Sequence, residues 1–164
     1  MRHLRRNVRI LLSATAALFP LAARVGPVQA GESCDGLPAT IVGTSYADVL
    51  NGTNGDDVIV GLGGDDEIYG NGGNDHICGG SGADVIDGGV GNDRIFGGAG
   101  NDDIRGGPNN AIFFSDKDEL FGDSGDDKLI GGDGPDRFDG GTGTDECDTD
   151  ANDVTSPANP VNCP

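Results

Sequence analysis

The residues of this chain that could do chemistry are aspartates at a fixed interval. Between Gly52 and Arg105 an Asp recurs every ninth residue, at Asp57, Asp66, Asp75, Asp84, Asp93 and Asp102. Each has a glycine five positions before it, another two positions before it, and an Ile two positions after it. Carboxylates held in such a rank repel one another unless a cation lies among them. Neither His nor Cys recurs in phase, so the pattern calls for a hard, oxygen-preferring ion. Calcium takes six to eight oxygens at about 2.3–2.6 Å and accepts main-chain carbonyls; magnesium keeps its waters and demands stricter geometry, which makes it the weaker candidate. Other chemistries have no support. His76 is the only histidine beyond the first thirty residues, the serines stand without a His and acid constellation, and no CxxC occurs. Asp56, Asp65, Asp103 and Asp126 flank the periodic positions and read as solvated surface.

These aspartates are carried by a nonapeptide said six times without a gap: GTNGDDVIV, GLGGDDEIY, GNGGNDHIC, GGSGADVID, GGVGNDRIF, GGAGNDDIR. Glycine tolerates the backbone angles that tight turns need. The three residues after each Asp favour strand, with the middle one always apolar and its neighbours mixed. Each unit therefore reads as a six-residue turn and a three-residue strand, and two units make one coil of eighteen residues. Turns then alternate between two edges. Asp57, Asp75 and Asp93 stack along one, and Asp48, Asp66, Asp84 and Asp102 along the other, with successive strands roughly 4.8 Å apart.

The motif G-G-x-G-x-D-x-U-x, with U a large apolar residue, resembles that of the RTX (hemolysin-type) calcium-binding repeat proteins. The resemblance runs from Gly43 to Asp148. It implies an all-β fold, a right-handed parallel β-roll of two short-stranded sheets, and several bound Ca2+ ions. It assigns as ligands Asp48, Asp57, Asp66, Asp75, Asp84, Asp93, Asp102, Asp118, Asp127, Asp136 and Asp145. Gly43 to Asn51 is a degenerate first unit, with Tyr46 where the second glycine belongs. Three units return at Gly122 (GDSGDDKLI, GGDGPDRFD, GGTGTDECD). Between Gly106 and Phe121 sixteen residues stand where nine are expected. One alignment begins a unit at Gly106, inserts seven residues and closes with Asp118 and Leu120. Its rival makes GGPNNAIFF a whole unit with Ala111 in the Asp position.

Bulk properties set the surroundings. The chain has 164 residues, 31 of them Gly, no Trp and a net charge of −18. Residues 1–30 read as a secretory signal peptide: four arginines, the apolar run Ile10 to Leu21, and Val28-Gln29-Ala30 before the expected cut. Five of the ten basic residues lie in that leader, leaving five against 28 acidic ones. Such a balance opposes nucleic acid and anionic lipid as partners. Residues 31–42 are expected to cap the stack, 43–148 to form the roll and 149–164 to close it. Four cysteines in an exported chain point to disulfides, with Cys34–Cys78 and Cys147–Cys163 preferred. One thin row of apolar side chains is a small core, so folding is expected to draw on metal binding. The chain thus reads as a secreted, monomeric, non-enzymatic calcium-binding roll. The alternative is an adhesive module that meets a cell-surface glycan or protein through Ala111 to Lys117, which includes Phe113 and Phe114.

Overall fold

The computed structural model describes residues 32–107, 116–148 and 153–155. The expected signal peptide, Phe113 and Phe114, and Cys163 lie outside these residues. Every described element is a strand, and no described helix is long and apolar enough to cross a membrane.

Two strands form a hairpin at the N-terminal end: β1 (Ser33–Cys34) pairs antiparallel with β2 (Leu37–Pro38) through a turn with Asp35 and Gly36 in the left-handed region. The chain then winds back and forth between two sheets. The strands are β3 (Ile41–Val42), β4 (Val49–Asn51), β5 (Val58–Gly63), β6 (Glu67–Tyr69), β7 (His76–Ser81), β8 (Val85–Asp87), β9 (Arg94–Ala99), β10 (Asp103–Arg105), β11 (Glu119–Ser124), β12 (Lys128–Ile130), β13 (Arg137–Asp139), β14 (Glu146–Asp148) and β15 (Val154–Thr155). Odd-numbered strands from β3 to β15 make a seven-stranded sheet, and even-numbered strands from β4 to β14 make a six-stranded one. All pairings in both sheets are parallel. The result is the β-solenoid of nine-residue half-coils that the repeat calls for.

Register is constant. Ile59 faces Ile77, Ile77 faces Ile95 and Ile95 faces Leu120; in the other sheet Leu50, Ile68, Ile86, Ile104 and Leu129 align in turn. These residues and Phe138 form one core, each at most 1% exposed, with Cys147 partly buried at its end. A single apolar residue per strand suffices because the flanking residues point away from the core.

Two expectations are sharpened. Strands of the seven-stranded sheet between β5 and β11 run six residues where three were expected. The extra residues belong to the following turn, whose peptides pair as strands do: Leu62 with Gly80, Ser81 with Ala99, Asp123 with Gly98. The turns are therefore stacked at the sheet's own spacing and are not free loops. The long unit is resolved in favour of the first alignment, since Glu119, Leu120 and Phe121 pair with Arg94, Ile95 and Phe96.

The hairpin is fastened to the roll. Cys34 and Cys78 form the expected disulfide, 44 residues apart in sequence. Cys34, Ala39, Val42 and Val60 make a second small buried cluster around it. Cys147 is also disulfide-bonded. On the outer face nearby, Phe96 and Phe121 stack at 4.7 Å, and Arg94 lies over both rings while bonded to Asp35 and Glu119. His76 sits at the margin of this group, 3.7 Å from Asp35.

Candidate metal centres

The periodic aspartates turn inward at the two edges and form two columns. On one edge the backbone N–H of Asp57 donates to Asp75 Oδ1, that of Asp75 to Asp93, that of Asp93 to Asp118 and that of Asp118 to Asp136, at 2.8–2.9 Å. On the other, Asp48 donates to Asp66, Asp66 to Asp84, Asp84 to Asp102, Asp102 to Asp127 and Asp127 to Asp145, at 2.8–3.0 Å. All eleven expected residues thus fall into two ranks, ten of them buried and Asp48 partly so. The long unit leaves the columns in phase, because Asp118 takes its place under Asp93 despite a sequence separation of 25 in place of 18.

Below Asp48 and Asp57, one oxygen of each carboxylate is spoken for by that amide. In seven of these the other is not. No hydrogen-bond donor reaches the buried Oδ2 of Asp66, Asp75, Asp84, Asp93, Asp102, Asp127 or Asp145. The backbone explains it. The second residue of each of these turns lies in the left-handed region: Leu62, Asn71, Gly80, Gly89, Gly98, Asp123 and Gly141. At Thr44 and Thr53, which lie outside that region, the N–H donates to the carboxylate of Asp48 or Asp57 at 2.6 or 2.7 Å, whereas Gly107, also outside it, donates to the Gly131 carbonyl oxygen at 3.1 Å.

The bare oxygens of Asp66, Asp75, Asp84, Asp93 and Asp127 also lie near a main-chain carbonyl. At Gly88, the first residue of its unit, a methyl group would stand 2.5 Å from both Asp93 Oδ2 and the carbonyl oxygen of Gly106 one coil on. Gly61, Gly70, Gly79, Gly106 and Gly122 are crowded by the same pair of oxygens. Glycine at this position is therefore a matter of space. Its missing side chain lets a carboxylate and a carbonyl converge.

Electrostatics follow from burial. It raises the carboxyl groups of Asp66, Asp93 and Asp102 to about 7, Asp75 to about 6 and Asp118 to about 8. The amide bond from the preceding coil opposes the rise, and neighbouring aspartates add to it by like-charge repulsion. A divalent cation would reverse that penalty by supplying the missing positive charge. Among the described residues no three His, Cys, Asp or Glu side chains converge on one point. An ion held here would draw much of its shell from main-chain carbonyls, which suits calcium and excludes a site built on thiolate or imidazole.

Three features escaped the sequence reading. Asp153 extends the first column, its Oδ1 accepting from the Asp136 amide at 3.2 Å. Its spacing of 17 residues hides it from a search at 18. At the other end Thr40 Oγ1 lies 3.1 Å from Asp57 Oδ1. Finally, the exposed residues preceding the aspartates form ladders of opposite sense. Asp56 accepts from the Asn74 amide, Asn74 from Asn92 and Asn92 from Lys117; Asp65 accepts from Ala83 and Asp126 from Thr144. Asp56, Asp65 and Asp126 are solvent-exposed or nearly so, as expected, but they also stitch coils together. Asp103 instead pairs with Arg105 at 2.9 Å.

Comparison with known proteins agrees with this geometry. A family model described as the RTX calcium-binding nonapeptide repeat (4 copies) matches residues 42–77, 79–112 and 114–153. No curated protein matches the chain significantly. Among solved structures, the AlgE6R3 subunit of the Azotobacter vinelandii mannuronan C5-epimerase, determined in solution, is similar at 29% identity with a TM-score of 0.23. That match covers 67% of this chain, and the chain spans about half (52%) of that structure's length. The repeat model covers most of the sequence and ends within the columns it should contain, so the chain belongs to the RTX calcium-binding nonapeptide repeat family, whose repeats bind calcium at multiple sites.

Proposed function

We propose that this is an exported protein whose roll folds as calcium enters the two aspartate columns, with no catalytic role. The observation that carries the reading is the row of buried Oδ2 atoms that no donor reaches. A buried carboxylate without a partner is costly, and a chain that repeats the arrangement on both edges needs something to offset it. The ligands are the carboxylates from Asp66 and Asp75 onward: Asp66, Asp75, Asp84, Asp93, Asp102, Asp118, Asp127, Asp136 and Asp145, with carbonyls of the glycine-rich turns. Bound calcium supplies the positive charge that lets these groups stay ionised and buried.

The core supports the coupling. Each coil buries only two apolar side chains, so metal binding contributes a substantial share of folding free energy. Extracellular calcium modules bind at about 10⁻⁴–10⁻³ M, an affinity that keeps a chain open until it leaves the cell. The leader-like first thirty residues and the disulfides favour the same compartment. Far-UV circular dichroism in chelator, in millimolar calcium and in millimolar magnesium tests the reading. The expected result is a coil-to-β transition in calcium alone; identical spectra with chelator and with calcium would refute it.

A further inference from the structure

The heads of the two columns differ from the seven aspartates below them whose Oδ2 no donor reaches. At Asp48, Oδ2 accepts from Thr44 N at 2.6 Å and from Thr44 Oγ1 at 2.7 Å. At Asp57, Oδ2 accepts from Thr53 N at 2.7 Å and from Thr53 Oγ1 at 2.8 Å. The same threonine hydroxyls accept a backbone N–H two residues on, from Tyr46 and from Gly55, each at 3.2 Å. Both threonines occupy the second position of their units, where the turns of Asp66, Asp75, Asp84, Asp93, Asp102, Asp127 and Asp145 carry a left-handed residue and leave the carboxylate Oδ2 without a donor. Two donors on one oxygen give that carboxylate the positive partial charge that a cation would otherwise supply.

We propose that Thr44 and Thr53 stand in for calcium at the column heads, so that Asp48 and Asp57 are not ligands and the first two turns close without metal. The inference rests on the calcium reading above and sets two sealed heads against the seven aspartates whose Oδ2 no donor reaches, Asp66, Asp75, Asp84, Asp93, Asp102, Asp127 and Asp145. Its logic is local competition. A cation at Asp57 Oδ2 would have to displace two short hydrogen bonds and would leave the Thr53 amide without its acceptor. At Asp75 or Asp84 it would displace nothing. The surroundings match a turn built to hold by itself. The disulfide Cys34–Cys78 ties the hairpin across the first coils, and Cys34, Val42 and Val60 are buried beside it. The N-terminal coils are then the part of the roll on which metal-dependent coils assemble.

The test is calcium stoichiometry by equilibrium dialysis on the exported chain and on single variants. Asp57→Asn and Asp48→Asn are expected to bind as many ions as the unaltered chain, whereas Asp75→Asn and Asp84→Asn lose bound calcium. Loss of calcium in Asp57→Asn, in a chain that otherwise binds the ion, overturns the inference and leaves the general reading intact. An unaltered chain that binds no calcium overturns that reading itself. Should Asp57→Asn not fold, terbium-substituted crystals of the unaltered chain decide by ion position. Anomalous peaks beside Asp75 and Asp84 but none beside Asp48 or Asp57 uphold the proposal, and a peak beside either head residue refutes it.

Discussion

Replacing Gly88 by alanine should cripple the roll, while the same change at Gly72, in the unit one coil before it, should be harmless. Both glycines lie outside the left-handed region, so backbone strain does not distinguish them. Space does. At Gly88 the new methyl would stand 2.5 Å from Asp93 Oδ2, 2.5 Å from the Gly106 carbonyl oxygen and 3.0 Å from Asp93 Cβ. A carbon–oxygen contact needs roughly 0.8 Å more, and neither neighbour is the free end of a flexible chain. Overpacking of this kind costs about 1–3 kcal/mol. Moving Asp93 also strains the 2.9 Å bond it accepts from the Asp75 amide, worth about 1–3 kcal/mol when a buried partner is lost. The sum, about 2–6 kcal/mol, is a large share of the roughly 5–15 kcal/mol that holds a domain of this kind. At Gly72 the nearest atoms, Asn54 Cα and Val90 O, are 3.8 Å away, which is ordinary contact. There alanine should be neutral or stabilise by up to about 1 kcal/mol by restricting the unfolded chain. Urea unfolding in saturating calcium measures both. Unfolding free energies for the two variants within about 0.5 kcal/mol of each other would refute the view that this glycine is fixed by carboxylate and carbonyl crowding.

Three further outcomes are expected. Asp123→Gly should stabilise the calcium-loaded roll by about 1 kcal/mol, because it removes a left-handed non-glycine residue (φ 68°) and a carboxylate raised by burial and by Asp139; a loss of stability in thermal unfolding would show that this carboxylate makes a needed bond. Reduction of Cys34–Cys78, or its replacement by serines, should cost about 4 kcal/mol by the loop-entropy relation for a separation of 44 residues; an unchanged denaturation midpoint would mean that the hairpin is held without it. In chelator, acid should favour the metal-free roll. Its buried carboxyls have folded-state values of about 6–8 against 3.8 unfolded, so between those limits the folded chain holds more protons and stability falls as pH rises. A metal-free β signal that strengthens from pH 4 to pH 8 would contradict that sign.

Much of the architecture was legible because one residue type serves one purpose at each position. An apolar residue two places after each Asp can point inward only in a strand, and ten such positions fill the core from Leu50 to Phe138. The division of Asp57, Asp75 and Asp93 from Asp66, Asp84 and Asp102 follows from two units per coil. Other details depend on how coils stack, which spacing does not record. Spacing alone does not tell that Thr53 donates its amide to its carboxylate while Asn71, at the same position, takes the left-handed backbone. A glycine rule for left-handed backbone likewise misses Leu62, Asn71 and Asp123, which adopt it because the stacked turn requires it. The ladder through Asp56 and Asn74 was invisible for a further reason: exposed Asp and Asn look like any solvated surface until a neighbouring amide is set against them.

The coil that runs through Asp118 has a wider bearing. It spends 25 residues where its neighbours spend 18, yet strands, core and carboxylate column resume in step. Phase in this solenoid is kept by the contact between one coil and the next, and not by the length of chain that joins them. An edge with that property is a natural port for cargo. A loop, an epitope or a small folded unit could be spliced between Gly107 and Asp116 without dephasing the coils on either side. The roll would then act as a calcium-set ruler, presenting each graft at a height fixed by counting coils.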